Sequence, residues 1–435
     1  MLGRLTPEEL VSLYEEAKDD ESREKMPPNE REKWLNQRLA EQVQFAYQNA
    51  PAVKEKFEKA GVSPAEIRTI KDLERLPVTT KDELARLQQA NPPFGGFLAV
   101  PVNSLTRIYV SPGPIYDAWG MERVRALAAG FLRTGWPKPG DVVLVSTAYH
   151  MVPAGLFLTD ALDMLGCTVV PAGIGQTELQ VKLLHDLKAT ALFSFPSFTM
   201  TILKKAEEMG YDVRKDFNLK YTTGGGERHI QILRKTFEEN YGLIVADGYG
   251  TADLGSVAYD CGLGQGYHYA DEDCVIEIVD PDTGRQVGPL EVGEVVVTLF
   301  SQVYPLVRFG SGDLASYTDE PCPCGRTAPR ITRILGMVGE HIRVKGMFVH
   351  LKELDEAMSK FPEVSKYQMV LRLEEHRDRI TLNLEVEPGV DREALSEAVT
   401  KRCQEVFKLK MDKIEFLAKG TLPEDYQKFV DTRWG

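Results

Sequence analysis

The 435-residue sequence has no long hydrophobic run, few cysteines and fewer basic than acidic residues. No stretch approaches the roughly 20 consecutive apolar residues that a membrane-spanning helix needs, and the first residues are too polar for a signal peptide. We therefore expect a cytoplasmic location and no membrane partner. The 52 basic residues face 65 acidic ones, and the resulting net charge of -13 disfavours a nucleic-acid partner.

The six cysteines are too few and too scattered for a disulfide framework, and the cytoplasm would keep them reduced. Cys322 and Cys324 nevertheless share one tight turn, and upstream Cys261 and His268 are separated by a glycine-rich stretch. Three cysteines and one histidine form a closed, structural type of tetrahedral zinc site. The alternatives are that these four residues are unrelated, or that Cys274 replaces one of them.

The residues that are present predict an α/β fold. A composition of 43% hydrophobic and 27% charged residues is that of a globular chain with a sizeable core. Helix-start signals, such as Asn29 with Glu32 and Thr80 with Glu83, predict a helical lead-in over 1–100. We expect an N-terminal domain over 1–338 with parallel and antiparallel sheets, followed by a small α+β domain over 339–435.

Short apolar runs alternate with helical segments between Arg107 and Asp247, as in a parallel sheet. The predicted strands are 142–146, 168–170, 191–194, 221–223 and 243–246. Ligands bind at the carboxyl ends of such strands, so we expect the site at the small and polar residues that follow them. After Asp253 the pattern changes to antiparallel hairpins.

Several strand-end segments could bind a nucleotide, and each has a structural alternative. The segment 107–113, RIYVSPG, lies where a phosphate loop would lie, between a strand and a helix. It offers only Ser111 and Gly113, and its prolines remove amide donors, so a tight turn is the alternative. The segment 222–227, TTGGGE, allows close approach of a ligand or is a flexible connector. The segment 247–253, DGYGTAD, supplies an aromatic face and two carboxylates.

Two further residues stand outside this sheet. Asp313, in RFGSGD, could accept both hydroxyls of a sugar diol. Lys428, in LPEDYQK, is by default a solvated lysine near a chain end.

In this order the segments resemble the phenylacetate-CoA ligase family of adenylate-forming enzymes, over nearly the whole chain. The matching segments are AYQNAPAVKEKFEKAGV, LERLPVTTKDEL, PPFGGFLAVP, LGCTVVPAGIGQTELQ, GGE, YGTAD, VRFGSGD, RILG and the terminal LP-x4-K. The resemblance implies an enzyme that uses ATP and Mg²⁺ to convert a carboxylic acid, aryl or arylacetic, to an acyl adenylate. The adenylate then reacts with CoA to give the thioester, and AMP and pyrophosphate are released.

The resemblance also implies roles for individual residues. Lys428 is the catalytic lysine, Asp253 is associated with magnesium, and Asp313 binds the ribose hydroxyls. The remaining nucleotide-binding positions are Ser111, Gly225, Gly226, Glu227, Asp247, Tyr249, Gly250, Thr251 and Arg333, the first residue of RILG. Tyr149, His150, Phe195 and Phe198 are aromatic or planar and predict the acyl pocket, to which we also assign Pro196; core packing is the alternative for each.

Three departures from the family pattern stand out. The phosphate loop lacks its lysine and its serine- and threonine-rich character, and Ala252 replaces a threonine or serine. Met337 and Gly339 stand where the family has arginine and aspartate, and Gly339 maps to the hinge of the mobile C-terminal domain. The altered loop leaves two interpretations: an active ligase, or a paralogue that binds AMP, acyl adenylate or CoA without ATP-driven ligation. A homodimer is also left open.

Overall fold

The computed structural model describes residues 6–111, 114–134, 137–227, 230–338, 341–344, 347–374, 377–424 and 426–433. The chain divides into two compact units, Met1–Gly336 and Met337–Gly435. The division falls two residues before the boundary expected after residue 338.

The helices of the described residues include a long N-terminal series, as the sequence predicts. They are α1 (Pro7–Glu24), α2 (Pro28–Asn49), α3 (Pro51–Ala60), α4 (Lys81–Ala90), α5 (Met121–Thr134), α6 (Ala154–Met164), α7 (Thr177–Asp186), α8 (Pro196–Glu208), α9 (Val213–Asp216), α10 (Ile230–Tyr241), α11 (Leu351–Met358) and α12 (Arg392–Phe407). None of these described helices is long and apolar enough to cross a membrane.

The strands of the first unit are β1 (Arg107–Ser111), β2 (Ile115–Trp119), β3 (Val142–Ser146), β4 (Thr168–Pro171), β5 (Ala191–Ser194), β6 (Tyr221–Thr223), β7 (Ile244–Ala246), β8 (Gly248–Thr251), β9 (Gly255–Tyr259), β10 (Tyr267–Tyr269), β11 (Cys274–Val279), β12 (Gly293–Leu299), β13 (Phe309–Thr318) and β14 (Arg330–Met337), whose last residue falls in the second unit. The second unit continues with β15 (His341–Val344), β16 (Met347–His350), β17 (Val364–Glu374), β18 (Arg377–Val386), β19 (Lys413–Ala418) and β20 (Phe429–Asp431).

Two of the predicted helix starts have different outcomes. Thr80 caps α4 by accepting a hydrogen bond from the backbone N–H of Glu83 at 3.2 Å, as predicted. Asn29 does not cap α2, because the helix begins one residue earlier at Pro28, a residue well suited to the first helical position. The apolar face of α2 is nonetheless buried in the main hydrophobic core, which it shares with the antiparallel sheet.

The five predicted parallel strands form one sheet in the order β4-β3-β5-β6-β7, with every neighbouring pair parallel. The strands are short, and β3 and β5 in the middle of the sheet are mostly buried, whereas the edge strand β4 is partly exposed. A second sheet of seven antiparallel strands has the order β11-β12-β13-β14-β10-β9-β8. Asp247 is the single residue between β7 and β8, so the chain passes there from one sheet to the other.

The segment around Ser111 is not a loop between a strand and a helix. Strand β1 turns back into β2, and the two form an antiparallel hairpin in which Ser111 pairs with Ile115. Ile115, Asp117 and Trp119 alternate along β2 and are buried, as is Ala118, whereas Tyr116 is exposed. Residues 112–113 of the predicted loop lie outside the described residues.

The second unit is the predicted α+β domain. Its sheet has the order β19-β18-β17-β20, with the separate hairpin β15–β16 and the helices α11 and α12. Leu371 and Leu382 from the sheet share a buried cluster with Val399 from α12. The α/β class with a smaller C-terminal α+β part is therefore confirmed.

Candidate active site

The loop after β6 lies against the ends of two neighbouring strands. A Cβ atom on Gly224 would lie 2.8 Å from Cγ of Asp247, which follows β7. Gly226 has a φ of +85°, and its Cβ would lie 2.5 Å from Cε1 of Phe195, which follows β5. Only glycine fits at these two positions. The structure thus brings the predicted loop residues together with Asp247 and Phe195.

Glu227, the last residue of this loop, is held by the start of α8. The backbone N–H of Ser197 donates to Oε2 of Glu227 at 2.8 Å, and the Ser197 hydroxyl donates to Oε1. A carboxylate is favoured there by the free N–H groups at a helix N-terminus. The contact joins the loop to Phe195 and the buried Pro196, two of the predicted acyl-pocket residues.

Asp247 is buried, and both of its carboxylate oxygens accept hydrogen bonds. It accepts hydrogen bonds from the Tyr267 hydroxyl at 2.9 Å and from the Gly248 N–H at 2.8 Å, and Arg234 lies 3.9 Å away. Burial raises the pKa of Asp247 to about 6, and these partners oppose the rise. Arg234 of α10 and Tyr267 of β10 escaped the sequence analysis, because neither belongs to a recognisable motif.

Tyr249 and Asp313, 64 residues apart, are in direct contact. The phenolic hydroxyl of Tyr249 donates to Oδ2 of Asp313 at 2.9 Å, and Tyr249 is only 7% exposed. Burial is the first cause that raises the pKa of Tyr249 well above its usual value, so the hydroxyl keeps its proton as a donor. The predicted adenine platform and the predicted ribose carboxylate are therefore neighbours.

Asp253 is the centre of a charged cluster. Lys81 of α4 lies with Nζ 3.2 Å from Oδ2 of Asp253, and Thr251 donates to the same oxygen at 3.3 Å. Arg123 of α5 donates from Nη1 to the backbone oxygen of Asp253 at 2.8 Å. Burial lowers the pKa of Lys81, but the charges of Asp253 and Asp313 outweigh it and the net shift is upward, so the ammonium stays charged. Lys81 lies in VTTKDEL, within one of the segments that resemble the family, and this resemblance is the sequence feature that could have identified it.

For the other predicted site residues of the first unit, the structure gives the following positions. Ser111 is buried on β1, whereas Arg333 is exposed on β14. The Tyr149 hydroxyl shares a hydrogen bond of 2.8 Å with Thr159 of α6, which fixes its ring against that helix. His150 is exposed.

Lys428 lies in the second unit beside two polar partners. Its Nζ donates to Oδ1 of Asp355 at 2.9 Å and to the Tyr367 hydroxyl at 3.3 Å. Burial lowers the pKa of Lys428, but these two hydrogen bonds outweigh it and the net shift is upward. The predicted hinge residue Gly339 lies outside the described residues.

The four predicted zinc ligands meet in one place. The ligand atoms of Cys261, His268, Cys322 and Cys324 all lie within 4.8 Å of one another. The sulfur atoms of Cys261 and Cys322 are 3.8 Å apart, and Sγ of Cys324 lies 3.4 Å from Nε2 of His268. Cys274 is not part of the cluster, since its thiol is fully buried against the backbone oxygens of Val257 and Ala270.

This donor set fits a structural zinc ion. Three thiols and one imidazole give four ligands with no open position. Burial lowers the pKa of His268 to about 4, with a smaller contribution from the charge of Arg326, so the imidazole is neutral as a metal ligand must be. Arg326 also anchors the cysteine turn to α1 through an ion pair of 2.7 Å with Glu24.

Comparisons with known proteins identify the family of the chain. The sequence profile of the family described as AMP-binding enzyme matches residues 123–299, and that of the AMP-binding enzyme C-terminal domain matches residues 346–433. The chain is 31% identical to a phenylacetate-coenzyme A ligase of Thermus thermophilus, over 84% of each chain. It is 29% identical to that of Escherichia coli, over 86% of each.

A solved structure extends the likeness to three dimensions. The chain is 26% identical to a 2-hydroxyisobutyryl-CoA ligase, with a TM-score of 0.81 over 95% of this chain and 92% of the other. That crystal structure holds the acyl adenylate 2-HIB-AMP together with CoA. The chain belongs to the AMP-binding enzyme family. Within that family it falls with the phenylacetate-CoA ligases, and its enzyme class is that of the AMP-forming acid-CoA ligases.

Proposed function

We propose that the protein activates an aryl or arylacetic acid with ATP and transfers the acyl group to CoA. The carboxylate oxygen attacks the α-phosphorus of ATP, the bond to pyrophosphate breaks, and an acyl adenylate forms. The CoA sulfur then attacks the acyl carbon, its proton goes to solvent, and AMP leaves. The observation that carries the proposal is the meeting of Tyr249, Asp313 and Asp247 beside the glycine-rich loop.

The nucleotide would bind along these strand ends. Asp313 is positioned by Tyr249 to accept the ribose hydroxyls, and the adenine would stack beside Tyr249 and the loop glycines. Asp253 would hold Mg²⁺, because its Oδ1 accepts no hydrogen bond in the described part of the chain although the residue is 1% exposed. Magnesium would neutralise charge that develops on the phosphoryl oxygens.

Lys428 is the proposed catalytic residue of adenylation. Negative charge builds on the α-phosphoryl oxygens during attack, and a lysine ammonium stabilises that charge. The hydrogen bond to Asp355 keeps the ammonium charged and ordered in its own unit. The mobility of that unit about Gly339 stays part of the proposal.

The aryl preference is supported by the side chains next to the loop. The ring of Phe195 packs against Gly226, and Glu227 ties the start of α8 to the same loop. A flat acid would fit beside such a ring, since aromatic pairs favour offset or edge contacts. Tyr149 is the second ring proposed for the pocket.

We further propose that the Cys261, His268, Cys322 and Cys324 cluster binds structural zinc. The cluster is built from two turns and strand β10, and Thr327 beside it donates its N–H to the backbone oxygen of Glu24 at 2.9 Å. Zinc would join these segments where the described residues form no disulfide. The cytoplasmic location and a homodimer stay predictions.

A second candidate function is supported by the β1–β2 hairpin. The hairpin offers no lysine, and its turn is short because Ser111 pairs with Ile115. A protein that holds AMP, acyl adenylate or CoA without ATP-driven ligation would have the same adenosine-binding residues.

One experiment separates the two candidates. Pyrophosphate release from ATP is measured with a panel of aryl, arylacetic and short acyl acids, and AMP and CoA binding are measured by calorimetry. The ligase predicts release that depends on at least one acid, followed by thioester formation when CoA is added. Binding of AMP or CoA with no release for any acid would support the second candidate instead.

A further inference from the structure

Asp117 on β2 is a buried carboxylate that the reaction described above does not use. It is 1% exposed, and within the described residues neither of its oxygens has a hydrogen-bond partner within 3.5 Å in good geometry. The Ser111 hydroxyl and the charges of Arg123 and Lys81 nevertheless act on it and lower its pKa. An unsatisfied buried carboxylate is costly, so its presence calls for a partner that binds with the substrates. It belongs to none of the segments that resemble the family.

The hairpin brings Asp117 near the turn that carries Asp253. Trp119, two residues further on and on the same face of β2, donates from Nε1 to the backbone oxygen of Ala252 at 3.3 Å. The face that carries Asp117 therefore adjoins the turn that carries Asp253. Burial first, and the charge of Asp253 second, raise the pKa of Asp117 well above its usual value.

Hydrogen-bond acceptors and a hydrogen-bond donor without partners lie in the same region. Oδ1 of Asp253 lacks a partner in the described chain, as do both oxygens of Asp117. Arg123, only 8% exposed, binds the Asp253 backbone through Nη1, and its Nη2 donor has no acceptor among the described residues. A metal–phosphate complex would supply both missing partners. Its cation would bind the carboxylate oxygens, and its phosphate oxygens would accept from the Arg123 guanidinium.

A divalent cation would also balance the carboxylates of this region when ATP binds. Asp117, Asp253 and Glu294 each interact electrostatically with Lys81, and Arg123 is a second cation that acts on Asp117. A triphosphate is itself strongly negative, and the hairpin contributes no lysine of the kind that normally reaches the β- and γ-phosphates. A divalent cation would supply the missing positive charge.

We propose that Asp117 and Asp253 together hold a divalent cation, and that this cation binds the terminal phosphates of ATP where the hairpin lacks a lysine. Asp117 is thus a second carboxylate ligand, supplied by the hairpin itself. The proposal rests on the proposed function for the identity of the phosphate ligand. The site itself stands on both oxygens of Asp117 and on Oδ1 of Asp253, which are buried and accept no hydrogen bond in the described part of the chain.

The test uses Mn²⁺ and α,β-methylene-ATP with the full chain. Free Mn²⁺ is followed by electron paramagnetic resonance for the wild type, Asp117→Asn and Asp117→Glu. The matched control is Asp82→Asn, which removes an exposed carboxylate beside Lys81. We expect Asp117→Asn to weaken Mn²⁺ binding roughly tenfold or more, because even outer-shell changes at metal sites cost about that much. Asp117→Glu and Asp82→Asn should stay within a few fold of the wild type.

Crystals of the wild type soaked with Mn²⁺ and the analogue provide a second measurement that needs no variant. An anomalous signal between Asp117 and Asp253 is expected, and a signal at Asp253 alone would overturn the proposal. Equal Mn²⁺ affinity in the wild type and Asp117→Asn would overturn it as well. If Mn²⁺ binding depends on Asp117 but no acid supports pyrophosphate release, the ligase function fails and the cation site stands.

Discussion

Tyr249 donates its phenolic hydrogen to Oδ2 of Asp313, and this hydrogen bond of 2.9 Å connects β8 with β13 in the antiparallel sheet. The two strands are not neighbours, because β14, β10 and β9 lie between them in the sheet order. The contact therefore does not follow from strand pairing. It orients the carboxylate that we propose binds ribose.

Tyr249→Phe should weaken ATP binding while the protein stays folded. A hydrogen bond to a charged group contributes about 1.5–3 kcal/mol, so the KM for ATP should rise by roughly tenfold when Asp313 loses its orientation. The control is Tyr317→Phe, which removes a hydroxyl bonded to the Val287 backbone oxygen in the same sheet. Steady-state kinetics with varied ATP checks the prediction. An unchanged KM would show that Tyr249 does not position Asp313 for the nucleotide.

Lys428→Ala should abolish the first half-reaction and spare the second. Removing a group that stabilises transition-state charge typically lowers the rate by roughly 100-fold or more. Pyrophosphate release should therefore fall by about that factor, whereas a synthetic acyl adenylate should still react with CoA.

The control for Lys428 is Lys419→Ala, which removes an exposed lysine paired with Glu387 in the same unit. Thermal unfolding of both variants shows whether the fold is kept. An equal fall in both half-reactions would assign Lys428 a structural role at Asp355 and Tyr367.

The parallel strands could be predicted almost to the residue, and the reason is physical. Each is a short run such as Val142–Ser146, rich in apolar or β-branched residues and bounded by turn residues, and its length distinguishes it from the longer crossover helices. The glycines after β6 indicated only that a ligand could approach the loop closely, with a flexible connector as the alternative.

The contacts between distant segments could not be predicted in this way. Lys81 meets Asp253 only because the helical lead-in packs against the antiparallel sheet, and no local pattern records that packing. The β1–β2 hairpin was missed because its proline-rich turn resembles the break between a strand and a helix. Asp117 was missed with it, since its importance depends on the face of β2 on which it lies.

Lys56 on α3 should make the stability of the protein depend on pH. Its ammonium is buried against Thr79 Oγ1 at 2.8 Å and the Val307 backbone oxygen at 2.6 Å. Burial, and then the charge of Arg308, lower its pKa to about 7. Between pH 7 and the unfolded pKa of about 10.4 the unfolded state holds the proton and the folded state does not. The free energy of unfolding contributed by this group therefore rises with pH over that range.

Lys56→Met should flatten this rise. Urea unfolding at pH 7 and pH 9.5 should show a smaller gain in the free energy of unfolding for the variant than for the wild type. Lys59→Met is the control, because Lys59 is an exposed lysine on the same helix. A variant whose gain between the two pH values matches that of the wild type would mean that Lys56 keeps its charge when folded.

Zinc removal should loosen the junction between the cysteine turn and α1. The turn is anchored by the Arg326–Glu24 ion pair and by Thr327, which donates its hydroxyl to the Met26 backbone oxygen at 2.7 Å. We expect about one zinc per chain by elemental analysis, because the four ligands form a closed site.

Cys322→Ser should lose this zinc, lower the melting temperature and speed proteolysis between α1 and α2, because the turn would no longer hold Glu24 and Met26. Cys274→Ala is the matched control, since it removes a buried thiol outside the cluster and should retain the zinc. Zinc content below about half an equivalent in the wild type, unchanged in Cys322→Ser, would contradict a structural zinc site. Faster proteolysis in Cys322→Ser than in Cys274→Ala, at equal global stability, would assign the cluster to anchoring α1.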